Sequence, residues 1–224
     1  MSVPDPRTSA AVDLIILLTV FALGFLMVPS LNLFAGQYHG LLVVFAAAAM
    51  QFLVEGAAPL AVMAVRNEQF ASYGFTRRKL VIALGMAVGT ALLYDFAYSC
   101  MTREFLWIPF GRHGVLRMAA SSGFFSAALG VPLVLLVWGF IEAFFGIYFA
   151  KKVNLALGHD GSGWNAPGVL AFAVFNGAIH WMLGQGVGGF VSSLATGYAV
   201  TAIPAMTENA WGGILVQVLT NAIG

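Results

Sequence analysis

Apolar runs of about twenty residues, recurring along almost the whole chain, are the feature that most restricts its fold. In hydrocarbon every backbone N–H and C=O must be paired inside the protein, so a run of that length is a spanning helix. "LIILLTVFALGFLMV", residues 14–28, is the first example, and such runs occupy roughly 13–34, 41–65, 80–100, 132–150, 167–184, 187–205 and 210–224. Residues 117–130, "RMAASSGFFSAALG", are apolar but too short to cross, and they stop before Gly130-Val131-Pro132, a natural break. They are predicted to form an interfacial or re-entrant helix. The expected fold is all-α: a polytopic transmembrane bundle of about seven spans plus that short helix, in a single integral membrane domain over 1–224.

Composition excludes several classes of function. Only 8% of residues are charged and 60% are hydrophobic, against about 25% charged in soluble domains. A net charge of +1, without a long Lys/Arg cluster, gives no surface for nucleic acid. Cys100 is the single cysteine, which rules out an intrachain disulfide, a CxxC pair and a thiolate zinc site. The expected partners are membrane lipid and a membrane protein or membrane peptide. The first apolar run is longer than the 7–15 residues of a signal-peptide core and is read as the first span.

Basic residues suggest an orientation. Arg66, Arg77, Arg78 and Lys79 bracket the second connection, and Lys151 and Lys152 close the fourth run. Both groups share one side if the N-terminus is cytoplasmic, whereas Arg103, Arg112 and Arg117 fall on the other. The expected location is a cell membrane. Many of the 26 glycines lie within spans, which predicts close helix packing. "GQGVGG", 184–189, superficially resembles a phosphate-binding loop, but it joins two apolar spans and is read as a helix connection. "GHDGSGWNAPG", 158–168, has turn chemistry throughout, so His159 and Asp160 are read as solvated turn residues. No internal repeat is evident.

A short set of polar residues remains at membrane depth: Gln51, Glu55, Asp95, Glu142, Asn176, His180, Gln217 and Asn221. Gln51/Glu55, Asn176/His180 and Gln217/Asn221 have i, i+4 spacing, so each pair shares a helix face. Such residues usually face the bundle interior, and these faces are expected to converge on one cavity. Amides, His and acids also hydrogen-bond helices together with no chemistry involved. That plain reading is preferred for Gln51, Glu55 and Asn176, and solvation near an interface for Asp95. Glu142 with His180 is a pair that can share a proton or hold water. His180 and Met182 flank Trp181, too few ligands for a haem or metal, and no cofactor is expected.

Three segments occur in a suggestive order: "FIEAFFGIYF" at 140–149, "FNGAIHW" at 175–181 and "TENAWGGILVQVLTNAIG" at 207–224, preceded by "YGFTRRKLVIALGMAVG" at 73–89. Together they resemble the CPBP family of intramembrane proteins, which includes CAAX-prenyl endopeptidases and bacteriocin-processing or immunity proteins. That family carries Glu-Glu-x-x-x-Arg, Phe-x-x-x-His and His-x-x-x-Asn/Asp motifs on an all-helical bundle. In its proteases glutamate and histidine activate a water. The resemblance covers about 73–224 and implies a site of Glu142, His180, Gln217 and Asn221. Ala143 stands at the second glutamate, Ile147 at the arginine, Asn176 at the phenylalanine and Gln217 at the first histidine. Gln217 keeps a hydrogen bond but cannot take up a proton near neutral pH, Ile147 removes a fixed cation, and Ala143 removes one candidate base.

Three functions are therefore expected in descending order. The first is a non-catalytic or diverged relative that binds a membrane peptide, a lipid-linked ligand or a larger membrane complex. The second is an intramembrane endopeptidase with Glu142 and His180 activating water and Gln217 and Asn221 completing the oxyanion contacts. The third is a proton or solute transporter with Glu55, Asp95, Glu142 and His180 as a relay, although no inverted repeat supports it.

Overall fold

A computed structural model describes residues 5–37, 40–102 and 114–223, all of which are helix, turn or loop, with no strand among them. Arg103 and Arg112 lie outside the described residues. Helix α1 (Pro6–Phe25) runs into α2 (Val28–Gln37), and α3 (Leu41–Gln51) passes through a wide turn into α4 (Ala58–Arg66). Helices α5 (Leu80–Thr102) and α6 (Gly114–Ser121) follow. Then α7 (Phe124–Val134), a second wide turn and α8 (Glu142–Ala156) form one long rod, and α9 (Pro167–His180), α10 (Gly186–Thr207) and α11 (Ala210–Ile223) complete the chain.

Among the described residues five stretches are long and apolar enough to cross a bilayer: Pro6–Gln37, Leu41–Arg66, Leu80–Cys100, Phe124–Ala156 and Pro167–Thr207. The chain is thus consistent with a multi-pass membrane protein. The count differs from the expected seven for two physical reasons. Helix α11 has 14 described residues, about 21 Å of rise, less than a hydrocarbon core. The last stretch folds back on itself where Gly184 (φ +80°) and Gly186 (φ +65°) interrupt the helix. There Asn176 on α9 donates to the Ser193 carbonyl on α10 at 2.8 Å, and Gly177 packs against Phe190.

The reading of 117–130 as one short helix ending at Gly130-Val131-Pro132 is corrected. The break falls at Gly123, whose φ of +95° only glycine adopts cheaply, so α6 and α7 are separate helices. Pro132 sits inside α7, and the expected span at 132–150 begins with Phe124. A membrane helix tolerates the missing donor where local adjustment re-pairs the backbone, and the wide turn at Leu135–Ile141 follows directly. Helix α6 lies on α3 and α7, with Leu116 and Ala119 buried against Val44 and Val134.

Packing rests on small residues and aromatic rings, because lipid tails are as apolar as the side chains and burial alone does not drive helices together. Ala83, Ala87 and Ala91, four apart on α5, bury one face against α11. Gly168 brings the start of α9 onto the Ala150 carbonyl of α8, where a Cβ would sit 1.9 Å from the oxygen. Phe149 stacks on Phe175 at 5.2 Å, and Phe21 meets Phe175 edge-on at 5.0 Å.

One end of the bundle is ionic. Lys152, 2% exposed, reaches Asp13 at 2.7 Å and Glu68 at 2.6 Å. Arg66 also holds Asp13, at 2.9 and 3.0 Å. Tyr73 donates to Glu68 at 2.5 Å and stacks on Tyr148, while Lys151 donates to the Ser72 carbonyl. Burial, followed by the Glu68 bond, holds the Tyr73 hydroxyl well above its ordinary range. Nearby, buried Asn209 donates to the carbonyls of Thr76 and Arg78 and accepts from the Trp211 N–H, and Glu208 pairs with Arg78 and Lys79.

Candidate functional site: a polar cavity at three wide turns

Ten residues N-terminal to Lys152 on the same rod, about 15 Å along the axis, Glu142 opens into a cavity of about 1170 Å³. Glu142, His180, Gln217 and Asn221 all line it, as do Gln51, Glu55 and Asn176. Helical spacing alone placed Gln217 and Asn221 on one face, four residues apart, and both reach the cavity. Asp95 does not line it, although its neighbours Tyr94 and Tyr98 do. Of the four residues of the expected relay, Glu55, Glu142 and His180 line the cavity.

Each ionisable side chain of the cavity, its tyrosines apart, stands at an i→i+5 turn. Glu55 lies within Phe52–Ala57, Glu142 directly follows Leu135–Ile141, and His180 directly precedes Trp181–Gln185. An extra residue in a turn rotates all later side chains by about 100° relative to an unbroken helix, and such turns are frequent at functional sites. At the second turn the Glu142 N–H bonds to the Val137 carbonyl, and the Trp138 carbonyl accepts from Asn221 Nδ2 at 2.8 Å. Asn221 thus ties α11 to the turn that aims Glu142.

The polar partners differ from the expected Glu142–His180 pair. Gln217 lies within hydrogen-bonding reach of the Glu142 carboxyl, and the Glu55 carboxyl is close enough to interact with it through charge. His180 Nδ1 instead hydrogen-bonds Gln185 Oε1 at 2.8 Å, so the ring is held by the bend rather than by the carboxylate. Glu142 is half-buried, its remaining surface turned to the cavity. Glu55 is buried, with Gln51 in reach of its carboxyl, and its Oε2 has no hydrogen-bond partner. Two carboxyl groups sharing one cavity were not legible from the chain, where Glu55 and Glu142 stand 87 residues apart. The one local signal was the Gln51/Glu55 spacing.

Other polar groups hold structure. Asn176 joins α9 to α10 through Ser193, and the hydroxyls of Tyr94 and Ser192 join α5 to α10. In the 158–163 loop the His159 ring accepts from the Gly161 N–H, and Asp160 accepts from the Ser162 N–H and hydroxyl. Those Ser162 bonds lower the Asp160 carboxyl below its ordinary value. Among the described residues no group of three His, Cys, Asp or Glu side chains is placed to hold a metal ion.

The rest of the wall is largely apolar and aromatic, with Phe21, Phe25, Phe145, Phe175 and Trp138. The cavity can accommodate a large apolar body and offers it two carboxyl groups, one imidazole and five side-chain amides on a largely hydrophobic wall. No family model matches the chain, and no curated protein or solved structure does.

Proposed function

We propose that this chain is a CPBP-like, non-catalytic integral membrane protein that receives a membrane-borne ligand, a peptide segment or lipid-linked molecule, in the cavity bordered by Glu142. The observation that carries this reading is the convergence of three i→i+5 turns, and the polar side chains they aim, on one mostly apolar chamber. Pockets of that character, with a few placed polar groups, are the usual form of ligand sites. His180 turned to Gln185 supports binding over the family's glutamate–histidine chemistry. In this reading α9 and α10 each cross the bilayer and α11 is a short seventh pass over which the bilayer thins. The ionic end, with Arg66, Arg78, Lys79, Lys151 and Lys152, faces the cytoplasm together with the N-terminus.

A second reading is supported by the Glu55–Glu142 pair. Ala143 leaves the second glutamate of the family motif missing, and Glu55 brings a second carboxylate to Glu142 from another helix. In an intramembrane peptidase this pair would activate a water, with Gln217 and Asn221 as hydrogen-bond donors beside it.

Native mass spectrometry of the full chain, extracted from its own membrane in mild detergent, separates the two. Binding predicts a retained ligand mass that Thr220→Trp, which puts an indole on the cavity wall, weakens and Glu142→Gln leaves unprocessed. Turnover of a membrane peptide that is lost in Glu142→Gln would overturn the non-catalytic reading. A wild type that carries no ligand mass removes its support.

A further inference from the structure

The two halves of the molecule treat their buried acids differently. At the ionic end buried Asp13 has Arg66 and Lys152, and half-buried Glu68 has Lys152. In the cavity, among the described residues, Glu55 and Glu142 have the neutral amides Gln51 and Gln217 in reach, and no Lys or Arg lines the wall. Among the described residues the basic side chain on that wall is His180, engaged with Gln185. Glu55 is 7% exposed, and its Oε2 has no hydrogen-bond partner in the protein. A buried acid of that kind needs a counter-charge or a donor.

We propose that the cavity takes the ammonium head of a single-chain apolar amphiphile, seated between Glu55 and Glu142 with its tail along the aromatic wall. This rests on the ligand-binding reading above and specifies the ligand's charge. An ammonium group supplies the donor that Glu55 Oε2 lacks and the cation that the carboxyl pair lacks. Tyr94, Tyr98 and Trp138 also line the wall, and aromatic rings attract a cation placed over their faces. The apolar remainder of the chamber suits an alkyl chain. A carboxylate or phosphate head would find no Lys or Arg among the described residues of the wall and is disfavoured there.

The test compares chain-matched probes on the purified full chain in dodecyl maltoside, an uncharged detergent. Radiolabelled dodecylamine and dodecanol are titrated, and binding above micelle partition is read by scintillation proximity. Dodecylammonium is expected to bind at least roughly tenfold tighter than dodecanol, a difference of about 1.4 kcal/mol. Glu55→Gln and Glu142→Gln should each narrow the gap, the double variant should close it, and Glu55→Asp, which keeps the charge, should preserve it. Equal binding of amine and alcohol by the wild type overturns the ammonium site and leaves the cavity as a receptor for neutral chains. No saturable binding of either probe overturns the cavity reading as well. A preference that survives in the double variant places the amine elsewhere and also refutes the proposal. If the double variant does not fold, the wild-type ratio and Glu55→Asp decide the matter.

Discussion

Lys152→Met tests whether the ionic end is a stability element. The substitution keeps the length and apolar stem of the side chain and deletes one buried ammonium, removing contacts to Asp13 at 2.7 Å and Glu68 at 2.6 Å together. Breaking a buried ion pair by removing one partner costs about 3–5 kcal/mol, because the other charge is left uncompensated. Here neither acid is wholly abandoned. Asp13 keeps Arg66 at 2.9 Å, and Glu68 keeps the Tyr73 hydroxyl at 2.5 Å. The lower end, about 3 kcal/mol, is therefore expected. Reversible unfolding in mixed micelles with sodium dodecyl sulfate gives the free energy directly. Asp13→Asn alone should cost less, since Arg66 is one-third exposed and can rehydrate. The double variant should cost less than the sum by about 1 kcal/mol or more, because no orphaned charge remains between these two positions. Arg78→Met, in an exposed pair, serves as a control expected to leave stability unchanged. A Lys152→Met variant within about 0.5 kcal/mol of wild type, the range of ordinary surface changes, would refute this account.

Two further outcomes are expected. The hydrogen bond from Lys79, with the charges of Arg78 and Lys79, lowers the Glu208 carboxyl below its ordinary 4.5. Its contribution is therefore complete above about pH 4.5 and is lost as pH falls through the lowered value. Glu208→Gln should make the drop in melting temperature between pH 6 and pH 3 smaller than in wild type, and an unchanged drop contradicts it. Gly168→Ala should destabilise by about 1–3 kcal/mol through the clash with the Ala150 carbonyl, whereas Gly85→Ala, with nothing within 4 Å of its added methyl, should be neutral or stabilising by up to about 1 kcal/mol. Equal effects at the two glycines in the same unfolding assay would show that the α8–α9 contact is looser than described.

Particular residues show what the chain made legible. Runs of apolar residues announce helices because the bilayer leaves the backbone no other way to pair, and all the described elements are helical. Helical spacing also placed Gln217 and Asn221 on one face, and both line the cavity. Pro132 misled because proline breaks helices in water, while Gly123, a single residue with positive φ, set the real boundary. The pairing of Asp13 with Lys152 was hidden, since nothing in a linear pattern encodes a contact across 139 residues. The wide turns were equally hidden: an extra residue in a helical turn leaves no compositional mark, yet it decides where Glu55, Glu142 and His180 point.

Those turns also bear on why Glu55 and Asp95 fare differently, although both are acids in apolar helices. Glu55 sits inside a wide turn whose extra residue rotates the following backbone, and its carboxyl faces Glu142. Asp95 sits on the unbroken helix α5, where its direction is fixed by the same register that turns Tyr94 and Tyr98 to the cavity and leaves Asp95 outside the lining. The register of a membrane helix thus selects which polar residue becomes part of a site, and a change of register is the means of selecting another. Inserting one alanine after Leu92 should rotate the later half of α5 by about 100°, removing Tyr94 from Ser192 and withdrawing the Tyr94–Tyr98 face from the cavity. Deleting one residue from Leu135–Ile141 should do the same to Trp138 relative to Glu142, and with it the carbonyl that Asn221 holds. If ligand binding survives that deletion unchanged while the chain still folds, the wide turn at Glu142 is packing alone, and the site has to be sought away from it.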